Sequence, residues 1–177
     1  MTTAQQSQAI VIPEPAPGPR FYEQTWDLSY RHALGGTTSR FLAGLASGQV
    51  YGRMCPQCRR VLVPARSFCD RCHCATGDWL RVGTSGVIEM FTVVYEPFRG
   101  LPEPPYALAY VTLDGADTAL PGYVRGLELA DVHAATTALA IGTCVRVAFA
   151  DNPVGSVADY WFEVETDGAD PSVEAHG

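Results

Sequence analysis

Two Cys-x-x-Cys pairs, Cys55-Pro-Gln-Cys58 and Cys69-Asp-Arg-Cys72, stand ten residues apart and constrain the fold more than any other feature of the chain. Each pair makes a tight knuckle with both sulfurs on one side, and two knuckles can close a thiolate tetrahedron around one ion. The reason is energetic as well as geometric: about 25 residues cannot bury enough apolar surface to hold themselves, so metal replaces a core. Two disulfides are the alternative, but they need an oxidising compartment. A redox pair would need only one Cys-x-x-Cys and a βαβ setting, which is missing. Four thiolates suit zinc or iron, and zinc is the expected ion. The ligand set is therefore Cys55, Cys58, Cys69 and Cys72. Cys74, in Cys72-His73-Cys74, and His73 are left out because the Cys-x-x-Cys register makes the better knuckle. Cys144 sits in an apolar run and is expected in a core.

The rest of the 177 residues leaves room for one ordinary domain beside this module. Met1 to Gln8 is polar without a basic stretch, and no apolar run approaches the ~18 residues of a membrane span, so a soluble cytoplasmic protein without membrane contact is expected. Net charge is −7, unevenly spread: residues 1–74 hold eight Arg and four acids, residues 75–177 four Arg and fifteen acids. An acidic second half is a poor surface for a nucleic-acid backbone. Arg53, Arg59, Arg60, Arg66 and Arg71 cluster in the metal module. They either offset the negative tetrathiolate or meet an anionic partner or ligand phosphates.

Taken in order, residues 1–19 read as a disordered arm, with Pro13, Pro15, Pro17 and Pro19 alternating. Residues 20–50 read as a helical arm: an aromatic piece with Phe21, Tyr22, Trp26 and Tyr30, a break at Gly35-Gly36, then a helix capped by Thr37, Thr38 or Ser39 and stopped near Gly48. The large apolar groups of this arm, Phe21, Trp26, Phe41 and Leu45 among them, are expected against another protein, with packing on the chain's own sheet as the alternative. Residues 51–78 form the ribbon, including the short strand Val61-Leu62-Val63 closed by Pro64, and Trp79 opens the next unit. Residues 79–166 read as β. Gly86–Tyr95, Tyr106–Leu113, residues 118–125, Thr143–Phe149 and Tyr160–Val164 are strands, with a short helix within 127–140 beginning near Asp131. Five strands with a helix between the third and fourth make an OB-like Greek-key barrel. Residues 167–177 are an acidic tail. The fold class is thus mainly β: a five-stranded OB-like barrel preceded by a helical arm and a four-cysteine zinc ribbon.

Catalytic groups are sparse. His32, His73, His133 and His176 sit in no local motif, no carboxylate pair has acid–base spacing, and no phosphate-cradling or nucleophile-elbow sequence is present. A zinc closed by four thiolates has no open position for water. The residues alone describe a metal-stapled binding module.

The order of parts resembles the rubredoxin-like zinc ribbon plus OB-fold family, often labelled a domain of unknown function and associated with acyl-CoA enzymes. The match runs over about residues 38–165. It is carried by Phe41-Leu42-Ala43-Gly44-Leu45, Cys55-x-x-Cys58, Pro64-Ala65-Arg66-Ser67-Phe68-Cys69-x-x-Cys72, Trp79, Gly86 to Tyr95, Tyr106 to Leu113 and Ile141-Gly142-Thr143-Cys144-Val145-Arg146-Val147. The resemblance implies a non-catalytic accessory subunit that pairs with a thiolase-like protein: a thiolase, a retro-aldolase or an acyltransferase. It implies a hetero-oligomer in which the partner carries the reactive cysteine and this chain helps form the acyl-CoA channel. Met90 stands where the family commonly has Ser, and Tyr95 where it commonly has His. A channel for acyl-CoA wants cations at its mouth and apolar walls. Arg59, Arg60 and Arg66 of the ribbon, with Phe91, Tyr95, Phe98 and Arg99 on the first barrel strand and its exit loop 96–105, are the expected ligand-binding residues. A stand-alone acyl-CoA-binding protein or enzyme is the alternative. A nucleic-acid-binding OB protein is weaker, since Phe91 and Tyr95 could stack bases but lie in the acidic half.

Overall fold

The computed structural model describes residues 31–165, and residues 33–165 fall within one compact unit. The expected Pro-rich arm, the aromatic piece 21–30 and the acidic tail lie outside the described residues.

Helix α1 spans Gly36–Ala46. Its cap is Gly35, with no side-chain hydrogen bond, so Thr37, Thr38 and Ser39 lie inside the first turn rather than before it. Gly48, with φ of +65°, takes the left-handed turn that ends the helix. Phe41 and Leu45 are 4% and 0% exposed and join the main core. This corrects the expectation that they face another protein: spaced four apart, they make one apolar stripe that the chain's own barrel covers.

Strands β1 (Tyr51–Met54), β2 (Val61–Leu62) and β3 (Trp79–Arg81) form an antiparallel sheet in the order β2-β1-β3. Trp79 therefore lies in the ribbon's sheet, paired with Arg53. The Arg53 and Arg40 guanidiniums stand 5.4 and 4.8 Å from its ring centre, a cation–π arrangement that ties α1 to the ribbon. The Val63-Pro64 peptide after β2 is cis.

Strands β4 (Ser85–Val94), β5 (Tyr106–Leu113), β6 (Leu120–Arg125), β7 (Cys144–Phe149) and β8 (Tyr160–Val164) close a barrel in the order β4-β5-β6-β8-β7. All its pairings are antiparallel except β6 with β8. This is the expected OB topology, and closure leaves no edge strand. Helix α2 (Val132–Ala138) sits between β6 and β7 in sequence; Asp131 caps it, accepting from the His133 and Ala134 backbone N–H groups. Ala135 and Leu139 are buried in the barrel core, together with Ile88, Val111, Leu120 and Phe162.

Two departures from alternation change where side chains point. A bulge between Ile88 and Met90 shifts the β4–β5 register. Glu89 and Met90 are then both exposed, and Phe91 packs against the core. On β7, Val145 and Val147 are buried while Cys144 and Arg146 are exposed. Cys144 is therefore not a core residue, because it shares a face with Arg146.

The ribbon is fastened to the barrel by the outer edge of β2. The Val61 N–H donates to Asp117 Oδ2 at 2.8 Å and the Val63 N–H to Thr118 Oγ1 at 2.7 Å. In return, the Thr118 hydroxyl donates to the Val63 carbonyl at 2.7 Å and the Asp117 N–H to the Val61 carbonyl at 2.9 Å. No helix among the described residues is long and apolar enough to cross a membrane.

Candidate metal centre and adjoining clefts

The two knuckles are built alike. In the first, the Cys55 N–H donates to the Arg60 carbonyl at 2.8 Å and the Arg59 N–H to the Cys55 carbonyl at 2.9 Å. In the second, the Cys69 N–H donates to the Cys74 carbonyl at 2.8 Å and the His73 N–H to the Cys69 carbonyl at 2.9 Å. Arg59 and His73, each just after the second cysteine, take left-handed backbone with φ of 64° and 53°. That turn brings each pair of sulfurs to one side.

The sulfurs of Cys55, Cys58, Cys69 and Cys72 all lie within 4.8 Å of one another, and Cys58 Sγ is 3.7 Å from Cys69 Sγ. Four sulfurs about 2.3 Å from one zinc would stand about 3.8 Å apart, so the cluster fits a tetrahedral ion. An all-sulfur donor set suits zinc or iron and excludes hard cations. Cys55 and Cys69 are fully buried and cluster with Leu62 of β2. The protons on these thiols are unequally held. The Cys58 backbone N–H, donating to its sulfur, lowers Cys55 to about 6 against the opposing effect of burial. Its contact with the Cys58 sulfur, then burial, pushes Cys72 up to about 12. Metal binding releases thiol protons, so metal affinity rises with pH.

The expected ligand-binding residues fall into two separate groups. Arg60 and Arg66 meet at Asp70, 3.4 and 4.0 Å away, and Arg60 also reaches the Asp117 carbonyl at 3.5 Å. Arg59 is exposed on its knuckle. Tyr95, Phe98 and Arg99 are exposed at the exit of β4, with Phe98 72% accessible. The ribbon docks at Asp117 and Thr118, just past the end of β5, whereas loop 96–105 leads into its start. The length of β5, roughly 24 Å for eight residues, separates them. Phe91 belongs to neither group, since it turns into the barrel.

Two adjoining clefts were not foreseen. One, of about 330 Å³, is lined by Gly35 to Thr38 at the start of α1 and by Ala65, Arg66, Ser67 and Phe68. The other, of about 390 Å³, is apolar and lined by Phe41, Leu42, Pro64, Leu108, Tyr123 and Tyr160, among others. Thr38 lines both. The Tyr160 hydroxyl donates to the Pro121 carbonyl, and burial raises its pKa to about 12, so it stays protonated. Only a three-dimensional meeting of α1, the ribbon and β5–β6 makes these clefts, and no local sequence pattern signals them. Among the described residues no histidine side chain hydrogen-bonds a carboxylate or nucleophile.

Residues 79–150 match the family described as ChsH2, C-terminal OB-fold domain. Two solved structures are similar. One is described as the Ltp2-ChsH2(DUF35) aldolase, with TM-score 0.59, 18% identity, and coverage of 76% of this chain and 98% of that one. The other is a protein of unknown function from the DUF35 family of Sulfolobus solfataricus, with TM-score 0.55, 19% identity, and coverage of 74% and 87%. No curated protein matches the chain.

Proposed function

We propose, from an OB domain of the ChsH2 C-terminal family at residues 79–150, that this chain is a non-catalytic accessory subunit of a thiolase-like enzyme that processes an acyl-CoA. The observation that carries the reading is the match to ChsH2 together with the fold likeness to a ChsH2-containing aldolase. The chemistry of the site agrees with it: the metal centre is closed, its role is to fold the ribbon, and zinc is the ion it suits best.

The outer barrel face supports a protein partner. Met90 of β4, Tyr110 of β5 and Pro121 of β6 stand side by side in register, with Leu108 and Tyr123 as the next pair. Met90 and Tyr110 are 61% and 49% exposed. The apolar cleft, lined by Leu108, Pro121 and Tyr123, continues this face. A contiguous apolar surface of this kind favours docking, and it replaces Phe41 and Leu45 as the expected contact. For the acyl-CoA, the better-supported path is the pair of clefts that meet at Thr38. Arg66 and the start of α1 would receive the phosphates, and the apolar cleft the uncharged arm.

Co-expression and co-purification with thiolase-like proteins of the same organism test the reading. A stable complex is expected, and Met90→Glu or Tyr110→Glu should weaken it at least about tenfold without unfolding the chain. In the complex, Arg66→Ala should raise KM for acyl-CoA more than it lowers kcat, since a phosphate contact is equal in ground and transition states. Arg59→Ala, Arg60→Ala and Arg99→Ala should do less. No complex with any thiolase-like protein would overturn the proposal. A complex indifferent to both glutamates would move the docking face, and four silent arginine variants would leave the chain purely structural.

A further inference from the structure

Cys74 does not belong to the tetrad, yet it is not remote from it. Its Sγ lies 3.6 Å from Cys55 Sγ, in van der Waals contact, and packs with the small cluster around Cys55, Leu62 and Cys69. In the first knuckle the matching place is taken by Arg60, whose carbonyl receives the Cys55 N–H just as the Cys74 carbonyl receives the Cys69 N–H. The second knuckle thus carries a fifth sulfur where the first carries a cation. The two thiols differ in access: Cys55 is fully buried, whereas Cys74 is partly open to solvent.

We propose that Cys74 is an oxidation site that captures Cys55 as a disulfide and so strips the metal centre of one ligand. The proposal rests on the tetrad holding a metal, but the bond itself needs only the two sulfurs. Closing it brings the two sulfurs from 3.6 Å to about 2.05 Å. Hydrogen peroxide is the oxidant. The Cys74 sulfur attacks one peroxide oxygen, the O–O bond breaks, and Cys74 becomes a sulfenic acid with release of one water. The Cys55 thiolate then gives its electron pair to the Cys74 sulfur; its bond to the metal breaks, the S–S bond forms, and hydroxide leaves and takes a proton from solvent. One thiolate, one thiol, one peroxide and one proton give one disulfide and two waters. Three sulfurs remain on an ion that needs four, and the ribbon loses the contact that holds its knuckles together.

The test is to treat the full chain, reconstituted with one equivalent of Zn²⁺, with hydrogen peroxide. Metal release is followed with a chromogenic chelator and disulfides are mapped by mass spectrometry with fragmentation. The bond is expected to join the tryptic peptide 54–59 to the peptide 72–81, with fragment ions placing it at Cys55 and Cys74. Cys74→Ser should bind the same zinc but release it at least about tenfold more slowly, because a thiol held in contact acts as an intramolecular neighbour. Cys74→Ala should behave like the serine variant. Disulfides mapped to other pairs, a terminal sulfinic acid on Cys74, or equal release from Cys74→Ser would each overturn the proposal. If the chain takes up no zinc, the metal assignment fails, and the mapped bond alone decides whether Cys74 captures Cys55.

Discussion

Around the knuckles, the fully enclosed residues are Cys55, Leu62 and Cys69, and only Leu62 is a hydrocarbon. The barrel core holds Ile88, Val111, Leu120, Val145 and Phe162, with α1 and α2 laid against it. Strand β2 belongs to both. Val61, and Val63 just past the strand's end, pack with the barrel core and Leu62 packs with the sulfurs, so three successive buried residues serve two cores. The difference teaches that the ribbon relies on a four-sulfur cluster able to hold an ion on one face and borrows hydrophobic burial from the barrel on the other. The barrel depends on packing alone.

The largest effect should come from breaking the metal side of that comparison. Cys58→Ser, or chelation, should abolish stoichiometric metal binding and remove folding energy on the order of 10 kcal/mol from the ribbon. Amide exchange should then rise across residues 51–81 while β5, β6 and β8 stay protected. Global unfolding on metal loss would mean that the two cores are one. Cys74→Ser should retain the metal.

Glycines at matching close contacts sharpen the same contrast. A Cβ on Gly86 in the barrel would collide with the Thr112 carbonyl oxygen, so Gly86→Ala pushes on paired backbone. A Cβ on Gly52 in the ribbon would meet Val61 Cγ1 at 2.6 Å and Val63 Cγ2 at 2.9 Å, which are side-chain atoms. Gly86→Ala should cost about 3 kcal/mol or more and Gly52→Ala about 1–3 kcal/mol, read from chemical denaturation. The reverse order would show that the ribbon–barrel seam is stiffer than the β4–β5 ladder.

These contacts also mark where sequence reading stops. The cysteine spacing, the five barrel strands, the helix start near Asp131 and the Gly48 stop are local signals, and each is present in the fold. The bulge at Glu89 is not local: it depends on how β4 meets β5, and it sends Phe91 inward. Cys144 reads as a core residue because cysteine is as apolar as its neighbours, although Arg146, two residues on, points to the exposed face. The Trp79 pairing with Arg40 and Arg53 joins three elements, and nothing in the sequence links them. The separation of the ribbon arginines from loop 96–105 likewise follows from docking at Asp117 and Thr118.

A smaller, pH-dependent effect lies in the loop between β7 and β8, which also escaped the sequence. Asp159 Oδ2 accepts from the Val154, Gly155 and Ser156 N–H groups at 2.8, 2.6 and 2.7 Å. The Ser156 bond above all, opposed by burial and helped by the other two, lowers its pKa. A depressed carboxylate contributes stability above its unfolded pKa and loses it as pH falls through the folded one. Asp159→Asn should therefore melt below the native chain at pH 7, and the gap should close as pH drops below the ordinary aspartate value of about 3.9. A gap that stays constant down to pH 2 would remove the charge from the explanation.

Under the proposed function, this chain supplies a fold and a thiolase-like partner supplies the chemistry. Steady-state turnover of acyl-CoA substrates by the purified, metal-loaded chain, measured beside the reconstituted complex with a thiolase-like subunit, tests that division directly. No thiolysis or aldol cleavage by the chain alone, with turnover only in the complex, is the predicted result; sustained turnover by the single chain would contradict it.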